Sequence, residues 1–208
     1  MFTDRIHAAS RIASALHPYK GLNPLVLGIP KGGAIMARHI ADALQGDLDV
    51  VLAHKLRHPQ EPEVAIGAVD EEGLTYMNVD MSSQHIPQSY IDKEAKRQLD
   101  IIHARRRMYT PVKPEEEVKG RVLIVVDDGL ATGATMVAAL RSLRGSHPSK
   151  LVAATAVAPA STLELIRPLA DEVVCLEVPD DFQAVGQYFD DFSDVSDEDV
   201  IAVLQRGA

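Results

Sequence analysis

The 208-residue sequence predicts an α/β fold, an open and mostly parallel sheet flanked by helices. Three observations carry this. Between Leu25 and Ala53 the chain reads strand, glycine turn, helix, strand, the pattern of a βαβ unit. Val122 to Val126 is wholly apolar, as a central parallel strand buried on both faces requires. From there to Val178 strands and helices alternate again.

Taken in order, Asp4 to Leu16 predicts a helix with Ile6, Ala9, Ala13 and Leu16 on one face, ended by Gly21, Asn23 and Pro24. Leu25 to Ile29 is a short buried strand, and Pro30-Lys31-Gly32-Gly33 is a turn. Ala34 to Leu44 places Met36, Ile40 and Ala43/Leu44 on one helical face, and Leu48 to Ala53 is a second strand. Ala65 to Val69 and Leu74 to Met77 form a hairpin around Asp70-Glu71-Glu72-Gly73. Gln88 to Tyr109 is a long amphipathic helix with Ile91, Ala95, Leu99 and Ile102 inward, stopped by Pro111 and Pro114. After the strand at 122–126, Asp127 to Ala131 is a loop. Thr132 to Thr135 then opens a helix with Met136, Val137, Leu140 and Leu143 inward. Leu151 to Val157, Ser161 to Leu169 and Glu172 to Val178 follow as strand, helix and strand. Ser196 caps a last helix, with Val195 stapled to Val200. No repeat or low-complexity linker divides the chain. One domain is expected, with a core at about 20–178, an inserted helical segment at about 80–112 and a C-terminal hood at about 179–208.

Charge narrows the function. The formal net charge is −9, and the stretch from Glu177 to Ala208 holds nine acidic residues and one basic one. The body is near neutral and the tail acidic, so bulk nucleic acid and anionic membranes are disfavoured partners. Lys31, Lys55 and Arg57 remain in the body for an anionic substrate. Arg105, Arg106 and Arg107 read as a solvated helix face. His54, His58 and His103 lack ligand spacing, and Glu63 reads as a turn carboxylate or a loop-orienting one. A single cysteine, Cys175, excludes an intrachain disulfide and a cysteine zinc cage. The longest uncharged stretch, Leu151 to Leu163, has 13 residues, short of the roughly 18 that span a bilayer. The N-terminus has no apolar signal core, and a cytoplasmic protein is expected.

The sharpest motif is Val122-Leu123-Ile124-Val125-Val126-Asp127-Asp128-Gly129-Leu130-Ala131-Thr132-Gly133-Ala134-Thr135. A buried strand delivers two carboxylates at its C-terminal edge, and a small-residue loop enters a helix. Free N–H groups and the dipole of that helix suit a phosphate, aided by the hydroxyls of Thr132 and Thr135. The carboxylates suit hydroxyls, a metal or a cation instead. A ribose 5-phosphate satisfies both halves. Neither a Walker loop nor a dinucleotide fingerprint is present.

This string resembles the phosphoribosyl-diphosphate (PRPP) binding motif of type I phosphoribosyltransferases. Gly28-Ile29-Pro30-Lys31-Gly32-Gly33 is similar to the family's pyrophosphate loop. Lys55 to Pro59, Pro62 to Val69 and Pro179 to Phe189 are similar to an uncharacterised branch, the predicted phosphoribosyltransferases, so the likeness spans nearly the whole chain. It implies the family's open sheet with a small hood or insert, and PRPP-dependent transfer of phosphoribosyl to a nitrogenous acceptor. Asp127 and Asp128 would hold the ribose hydroxyls, and Ala131, Thr132, Gly133, Ala134 and Thr135 the 5-phosphate. Lys31, Gly32 and Gly33 would receive the pyrophosphate, often through a cis non-proline peptide in this family.

Magnesium (Mg2+) is the implied cofactor, with any contact to Asp127 and Asp128 running through ribose or water. Lys31, Lys55 and Arg57 are the expected catalytic cations, because charge builds on the leaving group. Phe182 and Tyr188 are the candidates to stack on the acceptor, and a mobile cover is expected within His58 to Thr110. Two departures stand out. Gly129 replaces a usual apolar residue, which predicts a looser loop. Ala131 replaces the acid of relatives acting on 6-oxopurines, which argues against hypoxanthine or guanine. The expected partners are PRPP and a small nitrogenous acceptor, with a homodimer left open. The rival readings are a non-catalytic PRPP- or nucleotide-sensing regulator and a phosphoribosyl hydrolase.

Overall fold

Alternating apolar residues decide which way each strand faces. In the computed structural model, which describes residues 1–62, 64–77 and 86–205, five strands form one parallel sheet. They are β1 (Leu25–Gly28), β2 (Asp47–Val50), β6 (Val122–Gly129), β7 (Lys150–Val157) and β8 (Glu172–Glu177), in the order β2-β1-β6-β7-β8. On one face Val26, Ile124, Val126, Val152 and Ala154 meet α1 (Arg5–Ala15) and α2 (Gly32–Leu44). On the other Leu25, Leu27, Leu123, Val125 and Leu151 meet α4 (Ala134–Gly145) and α5 (Ala160–Ile166). The period of two thus feeds two cores from one sheet.

The remaining strands, β3 (Ala53–Arg57), β4 (Ala65–Asp70) and β5 (Thr75–Met77), form an antiparallel sheet. Its small residues Ala53, Ala65 and Ala68 let α4 approach closely through Ala134 and Ala138. The α3 helix (Gln88–Tyr109) also packs against this sheet, and α6 (Asp197–Gln205) packs against α2.

Several sequence expectations shift. The expected strand from Leu48 to Ala53 is two elements, since β2 ends at Val50 and β3 begins at Ala53 in the other sheet. The strand expected to stop at Val126 continues to Gly129, paired through Asp127–Thr155 and Gly129–Val157, so the two carboxylates ride on a strand rather than a loop. Ile6 is 41% exposed, and Ile12 takes the inward place on α1. In α3 the inward line includes Glu94 and Gln98. The expected hairpin is present as β4 and β5. The Ser196 cap is also present: its hydroxyl accepts from Asp199 N–H at 3.1 Å, and its own N–H donates to the Asp199 carboxylate at 2.9 Å. Glu63 lies outside the described residues.

The sheet order places the site. From β1 the chain winds through α2 to β2 on one side. From β6 it winds through α4 and α5 to β7 and β8 on the other. The direction reverses between β1 and β6, and a crevice opens beyond the carboxyl ends of such a pair.

Candidate functional site

Two loops face each other across that switch point. Beyond β1 the chain turns through Ile29 and Pro30 into α2, and the Pro30–Lys31 peptide is cis. Ile29 N–H donates to Val126 carbonyl at 2.9 Å, which ties this loop to β6. Beyond β6 the chain passes Leu130 and Ala131 into α4, whose N-cap is Gly133 at φ 71°, a left-handed turn suited to glycine. The Ala131 carbonyl accepts from Thr162 Oγ1 at 2.5 Å, and Leu130 N–H donates to Val157 carbonyl at 2.9 Å.

Two adjoining cavities occupy this edge. One is lined by the stretch Gly129 to Met136 together with Lys55 and Asp127. The other is lined by Pro30, His54, Arg57 and Gln98, and it shares Lys55, Asp127 and Thr135 with the first. Sequence-distant Lys55 and Arg57 therefore do reach the edge, carried by β3. The N-terminal turn of α4 and Lys55 line the same opening, an arrangement that attracts an anion.

Asp127 lines both cavities. Burial, with the Asp128 carboxylate beside it, pushes its carboxyl well above the ordinary range. Asp128 N–H donates to Asp127 Oδ1 at 2.9 Å and opposes that rise. Asp128 itself is turned toward Arg5, whose Nε donates to Oδ2 at 2.8 Å. A Cβ on Gly32 would lie 1.9 Å from that oxygen, so the pyrophosphate-type loop and the carboxylate touch only because residue 32 is glycine. Lys31 Nζ is 4.0 Å from Asp197 Oδ2 on α6.

Neither Lys31 nor Asp128 lines the two cavities, and each faces a group from one end of the chain. The acidic tail is thus no appendage to a neutral body, since Asp197 reaches the site. It also takes Tyr109 Oη–H at 2.6 Å and lies 3.4 Å from Arg105 Nε.

Gly129 is not loose. A Cβ there would meet Val185 Cγ1 at 2.3 Å, so a side chain from the C-terminal segment fills the space that glycine leaves. Phe182 and Tyr188, on either side of Val185 in sequence, stack on each other with centroids 5.9 Å apart and planes 8° apart.

The arginines expected to be a solvated face divide. Arg107 is exposed, whereas Arg106 is largely buried among Glu71, Asp49 and Glu115. Arg105 Nη1 lies 2.7 Å from His54 Nε2. Since arginine only donates, Nε2 accepts and Nδ1–H donates to Gln98 Oε1 at 3.0 Å. Burial first, then Arg105 and Arg57, lower the His54 pKa. His58 is buried, and its Nδ1 accepts from the N–H groups of Gln60 and Glu61. Cys175 is half-buried on β8, its thiol pushed up to about 11 by burial.

A parallel sheet with an acidic pair and a phosphate-type helix entrance at its switch point points to the phosphoribosyl transferases. The phosphoribosyl transferase domain model matches residues 3–193, and the chain belongs to that family. It is similar to TT1426 from Thermus thermophilus, whose crystal structure is 45% identical and superposes with a TM-score of 0.84 over 100% of this chain and 99% of that one. It is also 36% identical, over 99% of its length, to the Mycobacterium tuberculosis proteins Rv0571c and MT0597, provisionally named phosphoribosyl transferases. The chain covers 47% of each, so it spans about half the length of the curated relatives it matches. No helix among the described residues is long and apolar enough to cross a membrane.

Proposed function

We propose that the chain binds magnesium–PRPP and transfers its phosphoribosyl group to a small nitrogenous acceptor, releasing pyrophosphate. The observation that carries this reading is the pair of adjoining cavities that share Asp127, Lys55 and Thr135. In this reading Ala131 to Thr135 hold the 5-phosphate with backbone N–H groups and hydroxyls. Asp127 and Asp128 accept hydrogen bonds from the ribose hydroxyls. Lys31, Gly32 and Gly33 receive the diphosphate, and Lys55 and Arg57 balance the charge that grows on it as the anomeric C–O bond breaks.

The residues fit a magnesium ion that travels with its substrate. Among the described residues no group of three or more His, Cys, Asp or Glu is placed to hold a metal. The Asp128 carboxylate adds to the cost of ionising Asp127, which a divalent cation would relieve. When bound, magnesium would neutralise diphosphate charge. The acceptor is then expected beside the C-terminal segment that carries Val185, Phe182 and Tyr188, with Ala131 disfavouring a 6-oxopurine. A cytoplasmic setting belongs to the same proposal.

A second reading, a non-catalytic PRPP or nucleotide sensor, draws on one observation. The charges of Asp128 and Lys31 already face Arg5 and Asp197 within the chain. A turnover screen separates the two. Purines, pyrimidines and aromatic amines are each offered with magnesium–PRPP, and pyrophosphate is measured. Acceptor-dependent release supports the transferase. Binding without release supports the sensor, and release without any acceptor supports a hydrolase.

A further inference from the structure

Arg5 carries a charge that the reaction above does not use. It begins α1, 123 residues from Asp128, yet its side chain is only 13% exposed. Three contacts hold the guanidinium. Nε donates to Asp128 Oδ2 at 2.8 Å, Nη1 donates to Ser193 carbonyl at 2.7 Å, and the ring of Phe192 lies 4.0 Å from Cζ. The fourth neighbour is backbone, since a Cβ on Gly32 would sit 2.8 Å from Arg5 Nε. The guanidinium therefore lies against the middle residue of Lys31-Gly32-Gly33.

A guanidinium has five N–H donors, and these contacts use two. Among the described residues Nη2 has no hydrogen-bond partner, and it is not among the fully buried unpaired atoms. One flat face rests on Phe192 and two edges are anchored, so the free edge is oriented without further loss of rotamer freedom. A planar fork with a fixed face and a free edge is suited to phosphate oxygens.

We propose that Arg5 is a further substrate-binding residue, one that contacts the diphosphate arm of the activated ribose phosphate from its seat on Gly32. This rests on the PRPP reading above and extends it. The role also accounts for the neighbours of Arg5. Asp128 offsets its charge in the free protein, and Ser193 and Phe192 bring the C-terminal segment to the same point, so that both ends of the chain close on the diphosphate. A purely architectural clamp would need the anchored edges but not the free one.

The test uses three probes by calorimetry with magnesium: PRPP, inorganic pyrophosphate and ribose 5-phosphate. The variants are Arg5→Gln, which keeps a donor toward Asp128 but loses the charge, and Arg5→Lys, which keeps the charge. Thermal melts establish that each is folded. Arg5→Gln is expected to weaken PRPP and pyrophosphate about 10- to 100-fold, the range for one charge-assisted contact. Ribose 5-phosphate affinity is expected to stay within about twofold, and Arg5→Lys, which keeps the charge but lacks the planar fork, is expected to recover only part of the loss.

Unchanged pyrophosphate affinity in Arg5→Gln overturns the proposal. Equal losses for pyrophosphate and ribose 5-phosphate also overturn it, because they assign Arg5 to holding Asp128 or the fold. If Arg5→Gln does not fold, Arg5→Lys decides. A loss of pyrophosphate affinity with ribose 5-phosphate affinity unchanged supports the fork contact, and unchanged pyrophosphate affinity or loss of ribose 5-phosphate affinity alone overturns it. Wild type that binds none of the three probes overturns the PRPP reading and this proposal together.

Discussion

The rim from Asp127 to Thr135 and the rim around Lys31 border the same crevice, but they are assembled differently. The first is one contiguous stretch, in which a strand hands its last residues directly to a helix N-terminus. The second joins a turn after β1 to Arg5 from α1, Arg105 from α3 and Asp197 from α6. A local rim depends on backbone geometry and tolerates changes elsewhere. An assembled rim depends on side-chain pairs between distant elements, so it responds to mutation at either partner.

That contrast is most exposed at Gly32. Gly32→Ala drives a Cβ into the Arg5–Asp128 pair and should separate it. The pair is largely buried, so the expected destabilisation is about 3 kcal/mol. Denaturant midpoints measure it, and a loss under about 0.5 kcal/mol would show that the assembled rim is loose.

Gly129 probes the local rim where the C-terminal segment rests on it. Gly129→Ala should cost about 1–3 kcal/mol by overpacking against Val185. In a Val185→Ala background the same change should cost far less, and a double-mutant cycle measures that coupling. Additive effects would detach Val185 from Gly129.

A smaller effect concerns His54, held neutral beside Arg105. Its folded pKa is lowered, so the stability it contributes is complete above its ordinary value near 6.5 and is lost as pH falls below that value toward the depressed one. Wild-type stability should therefore fall from pH 7 to pH 5 with a slope of up to about 1.4 kcal/mol per pH unit from this group. His54→Gln should flatten that slope in urea titrations. An unchanged slope would place the acid sensitivity elsewhere.

The same contrast explains what is legible in the sequence. Val122 to Thr135 announces both its strand and the chemistry proposed for it, because an apolar run followed by two acids and a small-residue helix entry is contiguous. It departs locally at the strand end, where Asp127 and Asp128 look like loop residues until the strand is seen to pair with β7 as far as Gly129, and at Gly129 itself, which Val185 packs against. The assembled rim leaves no local signal. Arg5 sits in an ordinary helix start and Asp197 in an ordinary first turn, and only tertiary packing brings them to Gly32 and Lys31.

Arg105 and Arg106 depart from expectation for a related reason. A charge run reads as solvated, while buried Asp49 and part-buried Glu71, Asp197 and His54 supply partners from other elements. The β3 strand is hidden in the sequence because Val50-Val51-Leu52-Ala53 is continuously apolar. The chain nevertheless changes sheets there, after Val51 N–H makes a last bond to Gly28 carbonyl at 3.1 Å. Glu94 and Gln98 take inward places on α3 because Arg97, His54 and the Arg57 N–H satisfy them.

Titration of magnesium–PRPP into the wild type and into a protein carrying Asp128→Asn with Thr132→Ala tests the central claim most directly. The double change removes one charge and one hydroxyl from the local rim, the charge being the one that pairs with Arg5 of the assembled rim, while leaving both backbones in place. The account predicts saturable one-to-one binding by the wild type. It predicts an affinity at least about 100-fold lower in the double variant, because two polar interactions with the ligand disappear together. No binding by the wild type, or equal affinity in both proteins, would contradict it.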